Sequence, residues 1–205
     1  MPSLKRGKGG RIYTSSVREI APRIGVLALQ GAFREHAAVL RRLGADVVEV
    51  RLPEHLHSLD GLVIPGGEST TMMRLAGLYS LDRAIREFPG AVLGTCAGMI
   101  VLGRGQLGLV DLEIDRNAYG RQVASFEADI SLEGDERPLR GVFIRAPRVR
   151  ELGARVEVLG KLDGEPVLVR YGRFLVASFH PELTDDDRVH ELFLELTREA
   201  AVVGA

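Results

Sequence analysis

The chain has 205 residues, of which 45% are hydrophobic, and carries a formal net charge of -1 at pH 7. This size and composition are typical of a globular domain with a substantial core. The near-neutral charge gives no reason to expect nucleic acid or an anionic membrane as a partner. No apolar run approaches the roughly 20 residues that span a bilayer. The single cysteine excludes an intrachain disulfide, and a free thiol indicates a reducing, cytoplasmic location.

The first 23 residues differ from the rest because they are rich in Lys and Arg and poor in acidic side chains. No apolar segment follows the basic residues, which argues against a secretory signal. We expect residues 1–23 to be a flexible or loosely docked extension. Residues 24–203 are expected to form a single domain.

From Ile24 onward the hydrophobic pattern predicts alternating strands and helices. The apolar run Ile24–Leu29 predicts a buried strand, and a helix that ends near Gly44 follows it. Further strands are predicted at Val47–Val50, Leu62–Ile64 and 91–94, and further helices at Leu81–Phe88 and from Ala97. This alternation predicts an α/β fold with a doubly wound sheet.

The middle of the chain has a different pattern. Short β-rich segments alternate there with Gly, Pro and charged turns, which predicts antiparallel strands that extend the sheet or return to it. These segments lie near 109–114, 123–130, 141–145, 155–159, 166–170 and 174–178. An amphipathic helix is predicted from about Asp187, and its apolar stripe consists of Val189, Leu192, Phe193 and Leu196.

Cys96 lies in Gly94-Thr95-Cys96-Ala97-Gly98, directly after a predicted strand. At a tight strand-to-helix turn the backbone is strained, and glycine on both sides removes clashes and exposes the sulfur. Ligand sites in open α/β sheets lie at the carboxyl ends of strands, and a helix N-terminus favours a thiolate. The pattern indicates a nucleophile, whereas a lone cysteine is otherwise a small buried hydrophobe.

His180 and Glu182 flank Pro181, after the apolar strand at 174–178. Residues two apart in an extended chain point to the same side, and Pro181 biases His180 toward that geometry. We therefore expect the imidazole and the carboxylate to face Cys96 together, as the base and the orienting acid of a triad. The alternative is a strand-end histidine next to a solvated glutamate.

The segment Pro65-Gly66-Gly67-Glu68-Ser69-Thr70 ends the third predicted strand. Adjacent glycines let the backbone approach a ligand, so the N–H groups of Gly67 and Ala97 are expected to form an oxyanion hole. The competing interpretation is a plain turn in which Ser69 or Thr70 caps the next helix, and the two interpretations are compatible. A flexible Gly66–Gly67 peptide can also turn its carbonyl into that hole. We therefore expect the isolated chain to be nearly inactive until a partner reorders this peptide.

The other histidines lie in polar or helix-surface contexts, and most are expected to face solvent: His36, His55, His57 and His190. Cys, His and acidic residues are not grouped at metal-ligand spacing, and neither a phosphate loop nor a dinucleotide fingerprint is present. We expect no metal site and no nucleotide site of these types.

The chain resembles the class I, triad-type glutamine amidotransferase family over nearly all of its length after the extension. The Gly94–Gly98 elbow and His180-Pro181-Glu182 are similar to the whole class. Within it, the chain most resembles the branch that provides the glutaminase subunit of pyridoxal 5'-phosphate synthase. The segments that carry this closer resemblance are Leu29–His36, Pro65–Thr71, Arg116–Gln122, Ser125–Asp129, Phe143–Pro147 and Ser178–Thr184.

The resemblance implies a mostly parallel, flavodoxin-like sheet with added antiparallel strands, and hydrolysis of L-glutamine to L-glutamate and ammonia. It makes Cys96 the nucleophile that forms a glutamyl thioester, His180 the general base and acid, and Glu182 the partner of His180. The implied glutamine-binding residues are Gly67, Glu68, Ser69, Arg116, Ile144 and Arg145. The resemblance implies no cofactor. It also implies that ammonia passes to a dodecameric synthase partner decorated by glutaminase subunits.

The chain departs from the family in a short loop at 103–106 and in Ala118 and Tyr119, which replace the commoner Ser and Phe. One alternative is the glutaminase subunit of another amidotransferase, such as imidazole glycerol phosphate synthase. The branch-specific segments argue against it. The other is a non-catalytic flavodoxin-like protein with a redox-sensitive cysteine. His180 argues against that, because a redox sensor needs no general base.

Overall fold

The computed structural model describes residues 21–116 and 125–203, apart from the side chains of 201–203. Most of the predicted basic extension lies outside these residues. So do Ala118, Tyr119 and nearly all of the Arg116–Gln122 segment. The expectations for those parts of the chain remain predictions.

The described residues form eleven strands and five α-helices. The strands are β1 (Arg23–Leu27), β2 (Asp46–Val50), β3 (Gly61–Ile64), β4 (Ala91–Thr95), β5 (Leu112–Asp115), β6 (Ser125–Leu132), β7 (Asp135–Ile144), β8 (Arg148–Leu152), β9 (Glu157–Leu162), β10 (Glu165–Tyr171) and β11 (Phe174–Ala177). The helices are α1 (Phe33–Arg42), α2 (Ser69–Leu78), α3 (Leu81–Glu87), α4 (Ala97–Leu102) and α5 (Arg188–Val203), with short 3-10 turns at Pro53–Leu56 and Pro181–Leu183.

The large sheet has the strand order β2-β1-β3-β4-β11-β10-β9-β6-β7. Its first five strands are parallel, in a flavodoxin-like order, and the last four are added in antiparallel pairs. The predicted α/β sheet with added antiparallel strands is thus confirmed. The segment predicted at 174–178 as an antiparallel strand forms β11. This strand is antiparallel to β10, as expected, but parallel to β4 on its other side.

A second sheet within the described residues pairs β5 with β8. The segment predicted at 109–114 therefore does not join the large sheet. Its partner β8 was not among the predicted strands. The sequence of β8 is Arg-Val-Arg-Glu-Leu, and charged side chains at three of these positions leave little apolar alternation to read.

Helices cover both faces of the parallel half. Residues of α1 and α5 pack against Val63 on one face, whereas α2, α3 and α4 pack against Leu62 and Ile64 on the other. Because successive strand residues point to opposite faces, this is the doubly wound arrangement that the sequence predicts. In α5 the predicted stripe is buried except for Leu192, which is 36% exposed. No helix in the described ranges has the length and hydropathy of a membrane span.

The neighbouring parallel strands β4 and β11 position the chemistry. Gly94 pairs with Val176, and Thr95 pairs with Ala177, so the two strands end side by side. Cys96 follows the first strand directly, and His180 follows the second by a few residues. Two segments that lie far apart in sequence therefore meet at the carboxyl edge of the sheet. Ligand sites in open α/β sheets lie at this edge.

Candidate active site

Cys96 occupies the strained turn that the sequence predicts between β4 and α4. Its φ of 49° and ψ of -106° lie outside the favoured regions for a residue with a side chain. The turn is crowded. A Cβ atom at Gly94 would lie 2.9 Å from the backbone of Gly98, and one at Gly98 would overlap the carbonyl oxygen of Ile64. Both glycines are therefore required by the close approach of the backbone.

The sulfur of Cys96 faces a cavity of about 450 Å³ at the carboxyl edge of the sheet. Cys96 is only 6% exposed, and its Sγ donates a long hydrogen bond of 3.8 Å to the carbonyl of Ile144. The predicted site residues that line this cavity are Gly67, Glu68, Ser69, Cys96, Ala97, Arg116, Ile144, Arg145 and His180. Gln30 and Ile100 also line it, and neither residue was predicted to lie at the site.

His180 and Glu182 form the predicted imidazole–carboxylate pair. His180 Nδ1 lies 2.7 Å from Glu182 Oε1, and both side chains are buried. The expected extended geometry is wrong, because Pro181–Leu183 form a 3-10 turn that brings the carboxylate back to the ring. The backbone N–H of His180 also donates to the carbonyl of Val142 at 2.8 Å, which anchors the histidine to β7.

This environment favours the charged form of both members of the pair. Burial opposes protonation of His180, but hydrogen bonds with Cys96 and Glu182 outweigh it and raise its pKa to about 10. Burial also opposes ionisation of Glu182, yet the neighbouring imidazoles His36 and His180 lower its pKa. At neutral pH the site therefore contains an imidazolium beside a carboxylate.

The Gly66–Gly67 loop is held in place by hydrogen bonds with the neighbouring segment Gln30–Ala32. The carbonyl of Gly66 accepts a hydrogen bond of 3.2 Å from the N–H of Ala32. In a trans peptide the carbonyl and the N–H point in opposite directions, so the N–H of Gly67 points away from Ala32. Any reorientation of this peptide by a partner has to break the bond to Ala32.

The Gln30 side chain holds the next residue of the same loop. Its Nε2 donates to the carbonyl of Glu68 at 2.9 Å, and its Oε1 accepts from the N–H of Glu68 at 3.3 Å. A Cβ atom at Gly66 would overlap the ring of His180, which explains why glycine stands at that position. The loop is thus packed directly against the imidazole of His180.

The helix cap after this loop is Glu68, and the expectation that Ser69 or Thr70 caps α2 is wrong. The carboxylate of Glu68 accepts hydrogen bonds from the N–H groups of Thr70 at 3.0 Å and Thr71 at 2.6 Å. The bonds to Thr71 and Thr70 lower its pKa to about 2. Ser69 instead accepts a hydrogen bond from the guanidinium of Arg116, which also donates to Thr70 Oγ1 at 3.0 Å.

Ile144 and Arg145 reach the cavity from the end of β7. Arg145 has a φ of 44°, in the left-handed region that a residue with a side chain seldom adopts. The chain thus turns sharply beside Cys96. An arginine held in this conformation at a cavity wall is consistent with a binding role.

Two histidines that were expected to face solvent, His36 and His190, are fully buried beside Glu182, and that expectation is wrong for them. His36 lies 3.2 Å from Glu182 Oε2, measured from its Nε2, and 3.0 Å from Thr95 Oγ1. His36 Nδ1 lies 2.9 Å from His190 Nε2. A signal was present, because His36 is three residues after Phe33 and four before Leu40, on the apolar stripe of α1. His57 is exposed and His55 is half-buried.

Within residues 21–116 and 125–203, no group of Cys, His and acidic side chains is arranged to hold a metal ion. The donors around the cavity are instead an imidazolium, two arginines and backbone groups. This set suits a small polar substrate that carries a carboxylate.

Comparison with known proteins identifies the family of the chain. The model of the SNO glutamine amidotransferase family matches residues 26–199. The chain is 54% identical over 188 residues to pyridoxal 5'-phosphate synthase subunit PdxT of Chloroflexus aurantiacus, covering 84% of this chain and 99% of that protein. It is 49% identical over 189 residues to the subunit of the same name from Thermosipho africanus, covering 86% and 100%.

A solved structure points the same way. A crystal structure of a glutamine amidotransferase is 50% identical to this chain, with a TM-score of 0.80, and the match covers 85% of this chain and 98% of that one. The expected class I amidotransferase fold and the resemblance to the pyridoxal 5'-phosphate synthase branch are thereby confirmed. The chain is an enzyme of the glutamine amidotransferase class and belongs to the SNO glutamine amidotransferase family.

Proposed function

We propose that this chain hydrolyses L-glutamine to L-glutamate and ammonia at Cys96. We also propose that it delivers the ammonia to the synthase subunit that makes pyridoxal 5'-phosphate. The observation that carries the proposal is the juxtaposition of Cys96 with the hydrogen-bonded pair of His180 and Glu182 at one cavity. The names of the relatives from Chloroflexus aurantiacus and Thermosipho africanus support the choice of partner.

In the first half of the reaction, the thiolate of Cys96 attacks the side-chain amide carbon of glutamine. A carbon–sulfur bond forms, and an electron pair moves onto the amide oxygen. The N–H groups of Gly67 and Ala97 stabilise this oxyanion. In enzymes of this kind one such donor is worth roughly 10²–10³ in turnover.

The second half releases both products. The tetrahedral intermediate collapses, the carbon–nitrogen bond breaks, and the imidazolium of His180 gives its proton to the departing nitrogen. Ammonia leaves, and a glutamyl thioester remains on Cys96. The neutral imidazole then takes a proton from water, which attacks the thioester. Glutamate departs, and the thiolate–imidazolium pair is restored.

Glutamine binding is assigned to Gly67, Glu68, Ser69, Arg116, Ile144 and Arg145. The positive guanidinium groups of Arg116 and Arg145 lie at the cavity and suit the α-carboxylate of glutamine. The carbonyl of Ile144 lies near Cys96 Sγ and offers an acceptor for substrate N–H groups.

We further propose that residues 24–203 act as a single catalytic domain in the cytoplasm, where a free thiol stays reduced. The proposed partner is a dodecameric synthase decorated by copies of this chain. Ammonia passed directly between the two subunits would be protected from protonation by bulk water.

The experiment is an acid quench during turnover, followed by intact mass measurement. Wild-type protein mixed with glutamine and the synthase subunit is expected to gain one glutamyl group, which peptide mapping places on Cys96. Cys96→Ala is the control, because it leaves no nucleophile at this position to carry a glutamyl group. Glutamate release without any glutamyl-protein, even under rapid quench, would contradict the covalent route.

A further inference from the structure

A second imidazole contacts the triad carboxylate on the side away from His180. Glu182 uses Oε1 for its hydrogen bond with His180, at 2.7 Å. Its other oxygen, Oε2, is buried and accepts no aligned hydrogen bond from the described residues. His36 Nε2 lies 3.2 Å from this oxygen, and the His36 side chain is fully buried. The carboxylate is therefore placed between two imidazole rings.

The ring protons of His36 and His190 can be placed by asking which buried atoms lack a hydrogen-bond partner. His190 Nδ1 is buried without a hydrogen bond from the described residues. An unpaired buried N–H is more costly than an unpaired acceptor, so the proton of His190 belongs on Nε2. Nε2 then donates to His36 Nδ1 at 2.9 Å. A neutral His36 that accepts at Nδ1 must carry its own proton at Nε2, facing Thr95 Oγ1 and Glu182 Oε2.

We propose that His36 is a positioning residue of the triad: its Nε2–H, which is hydrogen-bonded to Thr95 Oγ1, also lies 3.2 Å from Oε2 of Glu182, and this electrostatic contact keeps Oε1 directed at His180. His190 assists from α5 by fixing the tautomer of His36. This inference rests on the proposed function, because positioning has a purpose only if His180 and Glu182 serve Cys96. It assigns a role to a buried pair of histidines that the triad itself leaves unexplained.

The charges around His36 support a neutral ring. Glu182 and His180 face it from the segment after β11, His190 faces it from α5, and Glu35 lies on α1 itself. Burial lowers the pKa of His36, and this effect exceeds the opposing effect of Glu182. A neutral His36 does not compete with the His180 imidazolium for the negative charge of Glu182. A protonated His36 would form a rival ion pair with that carboxylate.

The test compares His36→Leu, which removes the donor, with His36→Gln, whose side-chain amide can donate from a position close to that of Nε2. His57→Leu is the matched control, because it removes an exposed imidazole remote from the cavity. Two readouts are used. The first is kcat and KM for glutamate release with the synthase subunit. The second is the pH dependence of iodoacetamide alkylation, which reports on a single thiol because Cys96 is the only cysteine.

We expect His36→Leu to lower kcat about tenfold with KM within about twofold. The acid side of the alkylation profile should shift to higher pH, since a less well held imidazolium supports the thiolate less. His36→Gln should recover most of both effects, and His57→Leu should change neither. A folded His36→Leu protein with the wild-type kcat and alkylation profile would overturn the proposal.

A measurement on the wild-type protein keeps the proposal testable if His36→Leu does not fold. Nitrogen-15 spectra of the imidazole rings at neutral pH are expected to show His36 as the Nε2–H tautomer. A protonated ring or an Nδ1–H tautomer would contradict the inference.

Alkylation of Cys96 needs no glutamine, so it tests positioning separately from the proposed reaction. A shifted profile in His36→Leu, together with a wild-type protein that releases no glutamate beside an active synthase, would support positioning and reject the proposed reaction.

Discussion

His180 and Glu182 are separated by a single residue, yet they form a buried hydrogen bond of 2.7 Å from Nδ1 to Oε1. The 3-10 turn at Pro181–Leu183 makes this contact possible, because it folds the carboxylate back onto the ring. The opposite ring nitrogen is then available to the thiol. One short turn thus fixes the orientation of the His180 ring.

The first prediction tests that hydrogen bond. Glu182→Gln keeps the shape of the side chain but removes its charge, so the imidazolium of His180 loses its partner. We expect kcat to fall by about 10² or more, with a smaller change in KM. Steady-state glutamate release in the presence of the synthase subunit measures both constants. Unchanged kcat in a folded Glu182→Gln protein would contradict the role assigned to Glu182.

The second prediction concerns the backbone of the elbow. Gly98→Ala places a methyl group onto the carbonyl oxygen of Ile64, so we expect a loss of about 2 kcal/mol or more in the free energy of unfolding. Gly77→Ala is the matched control, because a Cβ there meets no atom within 4 Å and the residue lies in α2. It should stabilise the protein by about 0.5 kcal/mol through helix propensity. Urea unfolding of the two variants tests the pair, and equal stability would contradict the crowding argument.

The third prediction is a loss of stability in mild acid. Burial, with smaller effects from His36 and Arg42, lowers the pKa of His190 to about 2, and burial likewise lowers the pKa of His36. An unfolded histidine takes up a proton near pH 6.5. The unfolded state therefore binds more protons as pH falls from 6.5 toward 2, and the folded state loses stability by about 1.4 kcal/mol per pH unit for each such histidine.

Urea unfolding at several pH values between about 6.5 and 4.5 measures this slope before most unfolded carboxylates titrate. His190→Leu should reduce the slope by about one proton, whereas His57→Leu should leave it unchanged. His180 adds little slope over most of this window, because its raised pKa keeps it protonated in the folded state and an unfolded histidine is mostly protonated below about pH 6. An identical slope in wild type and His190→Leu would show that His190 takes up a proton without unfolding.

The parts of the fold that the sequence predicts correctly are those where hydrophobic pattern and local geometry agree. The Ile24 strand, the Cys96 elbow and the Leu81 helix are examples, because buried parallel strands are continuously apolar and glycine marks close backbone contacts. Strand β7 is longer than its predicted segment because Pro138 interrupts the pattern. A proline is compatible with this strand since β7 lies at the edge of the sheet.

The parts of the site that were missed depend on tertiary contacts. The role of Glu68 as a cap requires the exact approach of its carboxylate to two N–H groups, which a hydroxyl-based rule for helix starts does not anticipate. The burial of His36 depends on Glu182 and His190, which lie far away in the chain. The polar residues that neighbour His36 in the sequence therefore suggested an exposed side chain. In the folded protein, distant residues provide contacts for a buried imidazole.

The fourth prediction addresses glutamine binding. Arg116 donates to Ser69 and Thr70 at the cavity, so Arg116→Ala removes a cation from the proposed substrate site. We expect KM for glutamine to rise about tenfold with kcat within about threefold. Arg116→Lys should recover only part of the loss, because an ammonium cannot form the same paired hydrogen bonds. Arg150→Ala, which removes an exposed arginine on β8, is the control. A KM equal to that of wild type in Arg116→Ala would remove this residue from the site.

The most direct test of the central claim is the rate of glutamate and ammonia release from glutamine, with and without the synthase subunit. We expect equal amounts of both products, a rate that rises strongly when the synthase is added, and no release by Cys96→Ala, which should still bind the synthase. A Cys96→Ala protein that turns over glutamine, or a wild-type protein that releases no glutamate beside an active synthase, would contradict the account.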